Sequence, residues 1–474
     1  MINSSRFDMF INLSSDISIL HSHFVNRVGS NTEGINIYHS NRTIIKHNFL
    51  SSTGVYLLGI IKSDNTTISN NTFNGTGGAN TVCINLVASN NNTINDSTFY
   101  SCARGINLES ANYTTIYNSN ISNGSANYIR ILARSDHIII NGSYSFDLLS
   151  GGGNIWVDVY SENITMENIT AVYSASVGIQ IDDGSNILIK NSRLENNTNS
   201  GQGINSDGGS NITIIGNTIN NNSAAGIVVA AYQNVWIENN TINNNTGTSA
   251  QDDGIRISSG INVTIRNNTI TGNTDRGIIL EGADVNYSRV ENNTIKNQGT
   301  SDDYGIYLSS AANSNATGNR ITAINAYGIG STGDNNRIIN NIVNQTNTQN
   351  YGIVGGANGD RNVAENNTIM GAVIAGIWLT GQSSLTADGW NITGNIINGS
   401  GAQAIYIDNV TGAPVGSMTG NTIWGNIILL KGILDGGTTT SLCFNNEGNF
   451  YISNNESYVT LNGTIDCGLM NITR

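Results

Sequence analysis

From residue 178 onwards a Gly-Ile pair returns every 23 to 28 residues, at Gly178, Gly203, Gly226, Gly254, Gly277, Gly305, Gly328, Gly352 and Gly376, with Ala404 in the same slot afterwards. Upstream, Gly34, Gly54, Cys83, Gly105, Tyr128 and Asn154 hold the slot less strictly, and from Gly54 to Ala404 fourteen steps cover 350 residues, 25 per step. A chain of stacked units escapes the usual length arithmetic for domains, although it has 474 residues. A step of this size suits a leucine-rich repeat or a β-helix, so the internal pattern decides. In GIRISSGINVTIRNNTITGN, Ile255 and Ile257 alternate with other residues, Val263 and Ile265 do the same, and Ile270 follows alone. A period of two belongs to strands. No segment carries the i, i+3, i+4, i+7 spacing of an amphipathic helix, and no leucine-rich consensus occurs. Three short strands per step, separated by Gly, Asn and Ser turns, describe one coil of an all-β parallel β-helix.

A second column runs through Asn217, Asn240, Asn268, Asn293, Asn319, Asn341, Asn367, Asn395 and Asn421, each two residues before an inward apolar position such as Ile219, Ile242 or Ile270. A turn between two strands orphans backbone groups, and an amide side chain there can donate and accept along the stacking axis. In the first half Asn71, Ser97, Ser119 and Ser192 take the place, a looser ladder. The glycine slot has an equally local cause, positive φ or close backbone approach at a sharp turn. Proline, which cannot donate to a ladder, occurs once, at Pro414. Only 11% of residues are charged, so Asn, Ser and Thr keep the surface wet, while abundant Ile, Val and Leu argue for a folded core.

The runs GIRISSGINVTIRNNTI, GIYLSSAANSNATGNRI and GIWLTG with WNITGNII resemble the right-handed parallel β-helix repeats of the pectate-lyase-like superfamily, nearest to NosD-like surface proteins built from such repeats alone. The resemblance implies right-handedness. It does not choose a function, because lyases, glycosidases, adhesins, tailspikes and structural proteins share the fold. At the usual strand spacing of about 4.8 Å, roughly 17 coils give a rod about 80 Å long. The expected organisation is a lead-in over residues 1–15 with no evident cap, a β-helix over 16–435, and a C-terminal cap or hairpin module over 436–474.

A net charge of −13 repels a phosphate backbone, so nucleic acid is excluded as a partner. No run approaches the length of a membrane span. The segment MINSSRFDMFINLSS lacks the continuous apolar core of a signal peptide, so export requires a leader outside this sequence. Four cysteines form two local pairs about one repeat apart, Cys83 with Cys102 and Cys443 with Cys467, and favour two disulfides and an oxidising, extracellular or cell-surface location over free buried thiols.

Two features stand out as candidate sites. The slot two residues after each Gly points outward and includes Tyr56, Trp156, Val228, Arg256, Ile279, Tyr307, Val354, Trp378 and Tyr406. Tyr307, Trp378 and Tyr406 could stack on sugar rings of surface glycans, or join Val228, Ile279 and Val354 in a lateral protein contact, or lie under a loop. The densest charge cluster places Asp252, Asp275 and Asp303 two residues before the coil glycine on three successive layers, beside Asp253, Asp302 and Arg276. Three readings stay open: a calcium ion, catalysis by Asp252, Asp275 and Asp303 with Arg276, or a solvated turn paired with Arg276 and Arg256. The repeat also generates many Asn-x-Ser/Thr glycosylation triplets, among them Asn70, Asn91, Asn239, Asn267, Asn292 and Asn366. His21 and His23 share one strand face and His47 lies nearby, without a completing ligand set, and read as solvated turn residues.

The expected function is an extracellular structural or adhesive rod of a surface layer, sheath or filament, self-associating through its end and lateral faces. The alternative is a polysaccharide lyase or glycoside hydrolase with an acidic groove near Asp252 to Asp303.

Overall fold

A computed structural model describes residues 7–409 apart from 26–32, 53, 77–79, 149–152, 200, 248–251, 297, 299–303, 323, 325–326, 346–349, 357–358, 382–388 and 399–402; beyond 409 it describes isolated strands as far as 459–460. Every named strand pairing is parallel. No helix occurs among the described residues, and none is long and apolar enough to cross a membrane. The fold is a parallel β-solenoid of three short strands per coil, and the described residues include 18 third strands, one per coil, from His23–Val25 to Phe450–Tyr451. That agrees with the roughly 17 coils expected. The chain divides into two units, 1–232 and 233–474.

In the amino-terminal unit one coil comprises Arg104–Glu109, Thr115–Tyr117 and Asn120–Ser122. The next stacks on it residue for residue, with Ile106 against Ile129, Leu108 against Ile131 and Ile116 against Ile140. In the carboxy-terminal unit Tyr304–Ser309, Asn315–Thr317 and Arg320–Thr322 form one coil, and Ile306, Ala316 and Ile321 meet Ile329, Ile338 and Val343 of the next. All six are fully buried. A single coil cannot hide its own inward isoleucines, each worth about 2–3 kcal/mol on full burial. Stacking equal positions over one another removes them from water on both sides.

Strand Phe7–Asn12 pairs with Glu33–Tyr38, so parallel pairing is already present at residue 7, ahead of the expected boundary at 16. The glycine slot also shifts in one place: Gly34 and Cys83 share their register position with Leu57, not Gly54, because the neighbouring pairs are Ile35 with Leu58 and Ile84 with Leu58. Tyr56 accordingly sits beside Glu33 and Val82, one residue before the slot.

The amide column is a hydrogen-bond ladder. In the carboxy-terminal unit Asn240, Asn268, Asn293, Asn319, Asn341 and Asn367 each donate a side-chain N–H to the Oδ1 of the next Asn at 2.9–3.0 Å, ending on Asn395. The same Oδ1 accepts the backbone N–H of the preceding ladder residue at 2.9 Å. From Asn268 on, the second side-chain N–H goes to a strand carbonyl of the previous coil. In the amino-terminal unit Asn48 bonds to Asn71, then serines carry the column: the N–H of Asn71 donates to Ser97 Oγ at 3.3 Å and that of Ser119 to Ser143 Oγ at 3.3 Å. Ser192 N–H returns to an amide, Asn217 Oδ1, at 2.9 Å. The side chain of Asn421 lies outside the described residues.

Most slot glycines owe their identity to close approach. A Cβ on Gly305 would stand 2.6 Å from Ile321 Cγ2 and 2.7 Å from the carbonyl oxygen of Gly328. Gly305→Ala is therefore expected to lower stability by about 2–3 kcal/mol through overpacking, read as a lower urea midpoint. An unchanged midpoint would mean that the coil spacing gives way freely.

Candidate functional site

The carboxy-terminal unit buries its charge cluster. Asp252 and Asp253 are 1% and 0% exposed and Asp275 is buried as well, so the solvated turn expected for Asp252 and Asp275 is not what forms. Asp275 Oδ2 accepts the backbone N–H of Asp252 at 3.0 Å, and the Asp252 carboxylate lies against Gly247, where a Cβ would meet both oxygens at 2.4 Å. Asp253 is the focus of the ion pairs. Arg276 Nε donates to its Oδ1 at 2.8 Å and Arg256 Nη1 to its Oδ2 at 3.2 Å, while Arg256 also bonds Glu281. Burial pushes the Asp253 pKa up to about 6 against the pull of Arg276 and Arg256. Asp303 and Asp302 lie outside the described residues. Carboxylates as covered as Asp252 and Asp253 cannot touch a polymer chain, which removes them as groups lining an acidic groove. Among the described residues no three His, Cys, Asp or Glu side chains are grouped to hold a metal ion.

The outward column of this unit runs Arg256, Ile279, Tyr307, Gly330, Val354, Trp378, Tyr406 in register. Ile279 and Val354, expected to face solvent, are 0% and 4% exposed. Ile279 is flanked in the column by Arg256 and Tyr307, and Val354 by Gly330 and Trp378. Val228, in the other unit, is half-buried. Tyr307, Trp378 and Tyr406 are half-buried too.

The rings of Tyr307 and Trp378 belong to a stack that includes Tyr304, Tyr327 and Tyr351. Centroids are 4.2 Å apart for Tyr304 and Tyr307, 4.5 Å for Tyr304 and Tyr327, 5.4 Å for Tyr327 and Tyr351, and 4.5 Å for Tyr351 and Trp378, all within 23° of parallel. Gly330 makes room, since a Cβ there would meet Tyr304 Cε1 at 2.3 Å. Rings stacked in this way spend their faces on one another. Tyr304, Tyr327 and Tyr351 each carry a stacked ring on two sides, which adds cohesion along the coil axis. Its tyrosines were readable as the thrice-repeated Tyr-Gly-Ile at 304, 327 and 351.

The amino-terminal unit carries a polar strip on the outward face of its first strands, built around the Trp156 that the sequence places in the outward slot. The Arg130 guanidinium lies 4.5 Å from the Trp156 ring centre and donates to Asp158 at 3.1 Å. Trp156 Nε1 donates to Asp182 Oδ2 at 2.7 Å, Gln180 donates to the other oxygen, and Asn205 donates to Gln180 Oε1 at 3.0 Å. Asp182 and Asp207 are register partners, and Val157 pairs with Ile181, which places Asp158 beside Asp182. The signal was a shared frame, Trp-Val-Asp at 156, Gln-Ile-Asp at 180 and Asn-Ser-Asp at 205.

Cys83 and Cys102 form a disulfide between buried positions with Cα atoms 5.8 Å apart. The pairing of Cys443 with Cys467 lies outside the described residues. Asn70, Asn91, Asn239, Asn267, Asn292 and Asn366 are exposed in left-handed turns with φ of 52–55°. His21 stacks on His47 at 4.9 Å and His23 on Phe49 at 4.7 Å, one coil on the next.

Comparison with known proteins agrees with this geometry. The family model described as right handed beta helix region matches residues 82–242 and 239–392, and the one described as periplasmic copper-binding protein (NosD) matches residues 2–158. No curated protein matches the chain. Among solved structures, the Dettilon tailspike protein is 17% identical with a TM-score of 0.41, covering 72% of this chain, which spans 62% of the tailspike's length. PfbA, a surface adhesin of Streptococcus pneumoniae, is 13% identical over 76% of this chain and 86% of its own, with a TM-score of 0.32. The A-module of the Azotobacter vinelandii mannuronan C-5 epimerase AlgE4 is 12% identical over 90% and 88%, with a TM-score of 0.30. These likenesses concern the fold alone. The β-helix family model covers more than half of the sequence, and the chain belongs to the right-handed β-helix family.

Proposed function

We propose that the protein is a structural and adhesive β-solenoid working outside the cytoplasm, as an element of a surface layer, sheath or filament that associates with copies of itself. The observation that carries this reading is the direction of its side-chain bonding. Amides, aliphatic groups and the faces of Tyr304, Tyr327, Tyr351 and Trp378 are committed to the neighbouring coil, which makes a stiff element and leaves few groups for chemistry. The Cys83–Cys102 disulfide supports an oxidising compartment. With Ile279 and Val354 covered, the lateral aliphatic column is not the contact surface. Phe10, Leu13, Leu20, Val25 and Ile44 of the first coils are exposed, and they support association through that region instead.

Sedimentation and electron microscopy of the purified protein test the proposal. Concentration-dependent assemblies are expected, and adding calcium tests whether a cation bridges copies. Monomers at all concentrations, with and without calcium, would refute it. A second reading rests on the Arg130, Trp156, Asp158 and Asp182 strip, whose carboxylates reach solvent and could contact a polysaccharide. Reducing-end release from glycans that disappears in Asp158→Asn and Asp182→Asn would favour an enzyme.

A further inference from the structure

Among the described residues the arginines that the coils bury or half-bury are Arg104, Arg130, Arg256, Arg266 and Arg276. All but one have a carboxylate: Arg130 has Asp158, Arg256 has Asp253 and Glu281, Arg266 has Glu238 and Arg276 has Asp253. Arg104 has none among the described residues, and its Nε is buried without a hydrogen-bond partner. Burial, and after it the charge of Arg130, holds the Arg104 pKa below its ordinary value. A guanidinium offers donors only, so a half-buried one without an acceptor costs stability that a neutral side chain in its place would not.

Strand register shows what surrounds this charge. Asn107 follows Arg104 by three residues on the same strand, the spacing at which Tyr304 stacks on Tyr307 and Arg256 bonds Asp253. Asn107 pairs in turn with Arg130 of the next coil. Asn107 Nδ2 gives one N–H to Asn85 Oδ1 at 2.8 Å and keeps the other. Arg130 lies 4.5 Å from the Trp156 ring centre and gives an Nη2 N–H to Asp158 at 3.1 Å, but its Nε is buried without a partner, as that of Arg104 is. Two arginines on adjacent coils therefore each hold an unused, buried Nε–H, with an amide between them in register. Glu109, two residues beyond Asn107 on the strand, pairs with neither.

We infer that Arg104, Arg130 and Asn107 bind one small monovalent anion, with chloride the expected occupant, as a counter-ion built into the outer face of the first strands. Charge counting sets the valence. Arg130 is balanced by Asp158, so one positive charge remains, and a second negative charge on the ligand would be repelled by Asp158 and by Asp182 beyond it. The donors come from three side chains on two neighbouring coils, whose strands lie about 4.8 Å apart, and an acceptor of ionic size meets them together. The chain as a whole carries −13 net charge and repels anions at long range, which leaves these local donors to supply the affinity. The site needs no second copy of the chain.

Chloride-35 NMR on the full chain tests the assignment, in dilute chloride-free HEPES buffer titrated with sodium chloride, with acetate and sulfate as competitors. Saturable line broadening is expected in wild type, with affinity at least about 10-fold lower in Arg104→Gln, the size of one lost charge-assisted contact. Acetate should displace the chloride, and sulfate should do so far less well at equal ionic strength. Occupancy also acts on stability by mass action: at a tenfold excess over Kd the unfolding constant falls about 11-fold. The wild-type urea midpoint should therefore climb with chloride relative to that of Arg104→Gln, a difference that cancels the general effect of salt. Without chloride the variant should be at least as stable as wild type, and a variant that lost its fold there would show that Arg104 is already satisfied by the protein. The inference is also overturned if wild type shows no saturable broadening, if Arg104→Gln broadens chloride as wild type does, or if sulfate competes as well as acetate.

Discussion

Replacing Asn319 by alanine is expected to destabilise the carboxy-terminal unit by about 3–5 kcal/mol, and to do so from the middle of the ladder outwards. The side chain makes four bonds: its Nδ2 donates to the Val290 carbonyl at 2.8 Å and to Asn341 Oδ1 at 3.0 Å, and its Oδ1 accepts the N–H of Asn293 at 2.9 Å and its Nδ2 at 3.0 Å. Alanine leaves a carbonyl and two N–H groups of the neighbouring coil without partners, fully buried, and each orphan costs about 1–3 kcal/mol. Relaxation recovers part of the sum. Serine at the same place should cost about half as much, because the amino-terminal unit shows that Ser97 and Ser143 still accept the backbone N–H, though at 3.3 Å and without the second bond. Urea denaturation gives the energy. Hydrogen exchange gives the mechanism, since the Asn293 amide should lose protection far more than amides three coils away. Uniform loss of protection along the unit would mean that the ladder is not a chain of neighbour-to-neighbour bonds.

The ladder was legible because its cause is local and repeated. Each coil needs a donor and acceptor at the same turn, so Asn240 to Asn395 appear in sequence as a column without knowledge of the fold. The inward isoleucines were legible for the same reason. The Gly54 slot was misplaced by three residues because the turn before Tyr56–Ile61 differs in length from its neighbours, and only strand register reveals which residue is opposite Cys83. What covers an outward residue was not legible at all. Ile279 has register partners 23 and 28 positions away, and the Asp252 carboxylate lies against Gly247, so their burial depends on neighbours the repeat pattern does not name.

Asp253 gives the second large effect, and its pH dependence has a definite sign. In Asp253→Ala the guanidinium groups of Arg256 and Arg276 lose their shared acceptor, and a buried pair broken from one side typically costs about 3–5 kcal/mol. Arg256 keeps Glu281, which places the expected loss at the lower end, about 3 kcal/mol at neutral pH. In the intact protein burial raises the Asp253 pKa from 3.8 to about 6, so the folded state holds this proton more tightly than the unfolded chain does. The stability this adds is fully present below pH 3.8 and is lost as pH rises through about 6. A shift of this size corresponds to a change of up to about 3 kcal/mol. Asp253→Asn keeps the shape and one acceptor oxygen but cannot ionise, so its unfolding free energy should lack that decline. Subtracting the two stability curves cancels every other titrating group, including Asp136, and should leave a single descending step between about pH 4 and pH 6. A flat difference would show that Arg276 and Arg256 compensate the burial completely; a rising one would show that they overcome it and hold the carboxylate ionised.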